Sequence, residues 1–312
     1  MAELGVTAPY EIALRIAEVG AWDGAPASNA YQPYAVMSES MTRNVEERDA
    51  DVMDGLISMR DVNRRQGKKS AEGSITCYLR PNTWLALLKF CFGALSGGNP
   101  AFVQGSELQL FHVEVDKGAG NFRFSNCRVA RWTLRSTQDD GHLTLTMEVV
   151  GSDGTPGIAL TATTATLATG PIIQHYELAA AINGTTVEPK SFEVSVDHNL
   201  NTNIYRNSQV RRALKRGGKR RISGVFELDN NTANLALLTD WQNDTPFGWQ
   251  CVWTNGDDTL TLKSHTPASA GARFLGEVPT TNAGDAEVPL RLPFKGVASA
   301  TSDDELVCVI AS

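Results

Sequence analysis

The chain has 312 residues, 42% of them apolar and 20% charged, with 27 glycines and a formal net charge of -7. That length suits two ordinary domains, each able to bury a core without disulfides or metal, and the composition excludes disorder and coiled coil. The acidity excludes a general nucleic-acid binder, which gains affinity by setting clustered Lys and Arg against phosphate.

No apolar stretch reaches the roughly 18 residues of a membrane span. The N-terminal segment carries Glu3, Glu11, Arg15 and Glu18 in place of a basic-then-apolar signal, so the expectation is a protein that stays in a cytoplasm until it is assembled. Five cysteines (Cys77, Cys91, Cys127, Cys251, Cys308) are odd in number and widely spaced, which reads as reduced, buried small hydrophobes.

In chain order, an apolar segment opens at Tyr10-Glu11-Ile12-Ala13-Leu14-Arg15-Ile16, and Ser40 to Asn44 closes a segment of period-2 alternation suited to a half-buried strand. An acidic run from Glu46 to Asp54 and a basic run Arg64-Arg65-Gln66-Gly67-Lys68-Lys69 then bracket a long charged loop. After Gly73 come an apolar strand (Ile75 to Leu79) and Leu85-Ala86-Leu87-Leu88, which opens a short helix capped by Thr83. Asp139-Asp140-Gly141 makes a turn before the alternating strand Leu143 to Gly151. The Thr-Ala run Thr161 to Thr166 and Gly170-Pro171 form a boundary, although Thr also favours a strand there.

The same signals then return in the same order. Tyr176 to Ile182 echoes Tyr10 to Ile16, and Asn183-Gly184 marks a hairpin. Ser195 to Asn199 echoes Ser40 to Asn44, and Lys215-Arg216-Gly217-Gly218-Lys219-Arg220 with Gly224 echoes the first basic run with Gly73. Val225 to Leu228, then Leu235-Ala236-Leu237-Leu238 capped by Thr232 or Asn234, repeat the strand and helix, and Val288 to Gly296 repeats the closing strand. Matches in one order, with a spacing that shrinks steadily along the chain, predict a tandem duplication: residues 1–170 and 171–312.

Catalytic and metal signatures are missing. No Gly-x-Ser-x-Gly elbow occurs, and the five histidines stand singly, so His198 beside Asp197 reads as a satisfied polar residue. Gly67-Lys68-Lys69-Ser70 is no phosphate loop, because Val62 stands where a Gly is required. Asp257-Asp258 and Asp303-Asp304-Glu305 read as turn residues and not calcium ligands, and Asn183 and Asn230 are discounted as glycosylation sites. No enzyme activity, cofactor or metal is expected.

Between Arg206 and Arg221 stand eight basic residues and no acidic one: Arg206, Arg211, Arg212, Lys215, Arg216, Lys219, Arg220 and Arg221. The first half carries Arg64, Arg65, Lys68 and Lys69 at one end of its charged segment and Glu46, Glu47, Asp49 and Asp51 at the other. Such blocks mark either a partner surface or a solvated loop.

The order of these elements resembles the tandem-domain tail tube proteins of long-tailed, non-contractile bacteriophages. The resemblance rests on Ala17-Glu18-Val19-Gly20 with Gly24 to Ser28, the Gly73 strand leading to Leu85-Ala86-Leu87-Leu88, Ser191 to Asn199, Leu290 to Phe294, and Asp304 to Val309. It implies a mainly β chain: two tandem tail-tube β-sandwich domains, each with a short flanking helix, whose inner sheets join neighbours' sheets into a barrel around a channel. Three such chains give a pseudo-sixfold ring, and stacked rings give a tube in the virion tail that meets other tail proteins at its ends and passes double-stranded DNA without gripping it. Net acidity agrees with a repelling channel wall. In that setting the charged blocks read as contacts between rings, in preference to DNA contacts. Other readings are a tail hub, a contractile-type inner tube, or a carbohydrate-binding or hydrolytic sandwich using Trp22, Trp132, Trp241, Trp249 and Trp253 as sugar platforms.

Overall fold

The computed structural model describes residues 14–26, 31–49, 64–103, 106–118, 120–161, 167, 170–229, 234–265, 271–276, 290–298 and 305–311. Period-2 alternation dictates strands along most of this length, and the protein is mainly β. The first half runs β1 (Leu14–Val19), β2 (Gln32–Tyr34), β3 (Ser38–Glu39), β4 (Thr42–Asp49), β5 (Arg64–Tyr78), α1 (Pro81–Phe92), β6 (Ala94–Ser96), β7 (Asn99–Ala101), β8 (Leu110–Asp116), β9 (Asn121–Thr137), β10 (Leu143–Gly151) and β11 (Asp153–Pro156). The second half runs β12 (Leu178–Ile182), β13 (Thr185–Val187), β14 (Pro189–Asp197), β15 (Leu200–Asn201), β16 (Lys215–Arg216), β17 (Arg221–Leu228), α2 (Leu235–Gln242), β18 (Trp249–Asn255), β19 (Asp258–Lys263), β20 (Ala272–Phe274), β21 (Leu290–Gly296) and β22 (Val307–Ala311).

Antiparallel pairing joins β4, β5, β10, β9, β14, β17, β21 and β20 into one unbroken run. Strand β9 is long enough to serve two layers: its start pairs with β8 and β11, and its end with β10 and β14. Between the two parts Asn126 sits at φ 52, a left-handed value that Asn tolerates better than most residues. Its amide donates to Asp23 and Ser152, which fixes the bend. A second layer has the order β2-β1-β8-β9-β11 in the first half and β13-β12-β18-β19-β22 in the second.

The alternation sorts side chains by face. Along β10, Leu143, Leu145, Met147 and Val149 are buried while Thr144, Thr146 and Glu148 face outward; along β14, Phe192, Val194 and Val196 are buried. Phe192 packs on Trp249 at 5.4 Å between ring centroids, and Phe226 on Phe294 at 5.5 Å. Each large apolar side chain removed from water in this way contributes about 1.5–3 kcal/mol. The buried apolar residues form one cluster through both halves.

Trp132, Trp249 and Trp253 lie fully inside it and Trp241 is buried, so these four are core anchors without a face to offer a sugar. All five cysteines are free and buried, as their spacing implied, and burial pushes the Cys77 thiol up to about 12. No helix among the described residues is long and apolar enough to cross a membrane.

Three local expectations change. Helix α1 starts at Pro81 and not near Leu85: proline fits the first turn, where its missing N–H costs nothing, and Thr83 lies inside, its hydroxyl donating to Arg80 O. Gly93 at φ 93 ends it. Asn234 precedes α2 without a side-chain cap, its amide donating instead to Asp229 O, and Thr232 lies outside the described residues. The two described ends of the first charged loop are strand, since Arg64 to Lys69 belong to β5 and pair with β4 to form an arm, while residues 50–63 lie outside the described residues. The turns at Asn183-Gly184 and Asp139-Asp140-Gly141 stand as read, with positive φ at Asn183, Gly184 and Gly141.

Candidate functional site: the charged end and open borders of the sheet

The antiparallel run has one face in the core and one polar face. On the polar face Thr133 donates to Ser195 at 3.1 Å and the Thr76 and Thr146 hydroxyls meet at 3.2 Å. In register Glu148 and Asp197 both stand opposite Arg131, Glu193 opposite Arg135, and Glu227 opposite Arg291. Opposite charges placed directly across strands are mutually favourable.

The run also has two borders. At one, β3 and β4 pair only with β5 among the described residues; at the other, β20 is joined beyond β21 only by the single bridge of Ala272 to Phe247. Such borders leave backbone N–H and C=O groups ready for another strand.

Because β5 and β17 run one way and β14 the other, one end of the run collects the start of β5, the end of β14 and the start of β17, and with them the basic block. The structure divides that block. Arg211 is 2% exposed: Nε donates to Thr202 O at 2.6 Å, Nη1 to Gly151 O at 2.7 Å, and Nη2 to Glu72 at 3.0 Å. Arg220 pairs with Glu305 and lies over the Phe102 ring at 3.6 Å. Arg216 is half-buried and engaged.

Arg212, Lys215 and Lys219 are exposed, with Asp23 3.9 Å from Arg212. The segment carrying them is strapped to β5: Lys69 N–H donates to Gln209 O at 2.7 Å, Gln209 Nε2 to Gln66 O at 2.9 Å, and Lys68 Nζ to Asn203 at 2.9 Å while lying over Tyr205.

On the arm, Arg65 is exposed and Arg64 stands opposite Asp49 in register. Glu46 accepts from the Lys68 N–H at 3.1 Å and from Arg48 at 3.2 Å, which holds its carboxyl below the usual range. Glu47 is exposed and already engaged. Asp51 lies outside the described residues.

Sequence reasoning missed Arg128. Its guanidinium is 4% exposed, donates to Leu214 O and to Glu107 at 2.5 Å, and walls a cavity of about 480 Å³ together with Trp22, Arg206, Arg212 and Lys215. A single Arg inside a strand carries no local signal of this. Among the described residues no grouping of His, Cys, Asp or Glu is suited to holding a metal ion, and His198 is buried with Nε2 2.8 Å from Cys91 O.

A β sandwich with a polar sheet face, borders that among the described residues are paired on one side or joined by a single bridge, and a charged end has the form of a building block. A family model described as phage tail tube protein matches residues 9–296. The chain belongs to the phage tail tube protein family. No curated protein matches it. As a tail tube protein it is a structural subunit of a phage tail, expected to contact copies of itself and other tail proteins. The tail tube protein's charged block is therefore partly internal scaffolding, with Arg211 and Arg220 tying the two halves together, and partly open surface.

Proposed function

We propose that three copies of this tail tube protein close into a ring around a channel, and that rings stack into the tube through which DNA passes. The observation that carries this is the unbroken antiparallel run whose borders, among the described residues, pair on one side only at β3 and β4 and beyond β20 only through the single bridge of Ala272 to Phe247: open borders are satisfied when neighbouring copies pair edge to edge around an axis. The seam between β9 and β14 supplies the model for that joint.

Tandem duplication, residues 1–170 and 171–312, underlies the arrangement. In its support, β2-β1-β8-β9-β11 and β13-β12-β18-β19-β22 follow one pairing order, as do β4-β5-β10-β9 and β14-β17-β21-β20, each set with its helix after the same strand. Gly73 and Gly224, matched in sequence, both sit where a Cβ would strike backbone.

The polar face lines the channel. On this reading its acids face bases across strands, so the wall is hydrophilic and partly neutralised, and phosphates spaced about 1.7 Å apart along the duplex meet acidic groups among the basic ones. The exposed charges of the arm and block, among them Glu47, Arg65, Lys215 and Lys219, face the next ring, and the chain works by assembly without catalysis.

The border supplies the test. Ser40 N–H donates to Ser74 O, so antiparallel alternation turns the neighbouring Glu39 N–H away from β5. Glu39→Pro removes that outward donor, whereas Glu39→Ala removes only the side chain, which pairs with Lys117 at 3.0 Å. By sedimentation and electron microscopy, Glu39→Ala is expected to form rings and tubes, and Glu39→Pro folded monomers. Rings from the proline variant at wild-type concentrations refute lateral pairing at this border.

A further inference from the structure

The cavity behind Arg128 holds more donors than the protein itself satisfies. Arg128, Arg206, Arg212 and Lys215 line it, and the one carboxylate among its lining residues, Glu107, is already taken by Arg128. Lys215 and Arg128 hold the Glu107 carboxyl below its ordinary range, the Arg128 hydrogen bond contributing most. Arg206 and Lys215 have no hydrogen-bond or ion-pair partner among the described residues, and the buried Trp22 Nε1 and Arg128 Nε find no acceptor. Buried donors left without acceptors cost stability, so a site of this kind is completed by an anionic group from outside.

The opposite end of the same strand carries the complement. From Arg128, β9 runs down to Thr137, a length of about 30 Å at the rise of a strand, and turns into β10 through Asp139 and Asp140. Both are exposed; Arg135 comes only to 4.0 Å of Asp140, and Asp139 has no partner among the described residues. Gln138 N–H donates to Lys190 O, which brings exposed Glu188 alongside. Lys190 is itself spent on Asp229 at 2.8 Å. One end of the sheet is thus rich in unmet cations and the other in unmet carboxylates, and β9 spans the two.

We infer that the Arg128 cavity is a socket for the Asp139–Asp140 turn of a second copy stacked end to end. This inference rests on the stacked-ring reading and adds which groups meet and in which polarity. Charge complementarity of this kind selects the partner's orientation and speeds encounter. The same pairing makes stacking head to tail, because two basic ends, or two acidic ends, repel.

Charge reversal tests it, because each copy brings both ends. The socket variant Arg206→Glu with Lys215→Glu has two acidic ends; the turn variant Asp139→Lys with Asp140→Lys has two basic ends. Each purified alone is expected to give rings by sedimentation and wild-type thermal unfolding, with the concentration needed for tubes raised roughly tenfold or more. Separately formed rings of the two variants, when mixed, are expected to stack in alternation, and a chain carrying all four substitutions is expected to regain tubes. Tubes from the turn variant alone at wild-type concentration overturn the pairing while leaving the rings in place, and so does a mixture that stays unstacked. A wild-type chain that never passes beyond the monomer removes the stacked-ring reading itself, and this pairing with it.

Discussion

Arg211 stands among exposed basic residues in sequence, yet its burial makes it a clamp, and Arg211→Ala measures how strong. Truncation leaves the Thr202 and Gly151 carbonyls without their donor, at about 1–3 kcal/mol each. The Glu72 pair adds at most about 1 kcal/mol, because Glu72 is 48% exposed and water screens it. Together these give about 2–7 kcal/mol, bracketing the range expected when one partner of a buried charged network is removed and a large part of a typical domain's stability. Glu72→Gln keeps both carbonyl bonds and is expected to cost less than about 1 kcal/mol. Urea unfolding followed by tryptophan fluorescence compares the two, and limited trypsin digestion after Arg206 should accelerate only in Arg211→Ala. The reasoning fails if Arg211→Ala unfolds within about 1 kcal/mol of wild type, or if Glu72→Gln costs as much.

Two further outcomes follow from the interior. Burial lowers His198 to about 4, so the folded protein resists its protonation; the associated stability is complete above about pH 6.5, is lost as pH falls toward 4, and amounts to about 3 kcal/mol. His198→Gln should flatten that part of the stability-pH profile, and an unchanged acid limb would exclude His198 as its source. A Cβ at Gly73 would lie 2.5 Å from Met41 Cα, and one at Gly224 2.6 Å from Glu193 O and 2.3 Å from Phe294; Gly73→Ala and Gly224→Ala are each expected to lose about 2 kcal/mol or more in denaturant unfolding, and an unchanged midpoint in either would show that the strands have room.

Where one face of a strand is buried, the sequence announced it. Leu143, Leu145, Met147 and Val149 alternate with Thr144, Thr146 and Glu148, and Asn183-Gly184 supplies the left-handed pair that a tight hairpin requires. The arm escaped notice because Arg64 to Lys69 pair with β4 without an apolar stripe to betray a strand. The charged block was visible as a block, but its division into clamp and surface was not. Arg211 reaches Glu72 across 139 residues of chain and Arg128 reaches Leu214 across 86, and composition records charge without recording which charges meet. The acidic counterpart at Asp139 and Asp140 looked like an ordinary turn, since only the antiparallel run sets it at the far end of β9 from the cavity.

The β9–β14 joint has a kinetic side. Its two strands belong to one polypeptide, so they meet at the local concentration imposed by the intervening segment, and not at the concentration of free protein. Dilution that would part separate molecules leaves this joint closed.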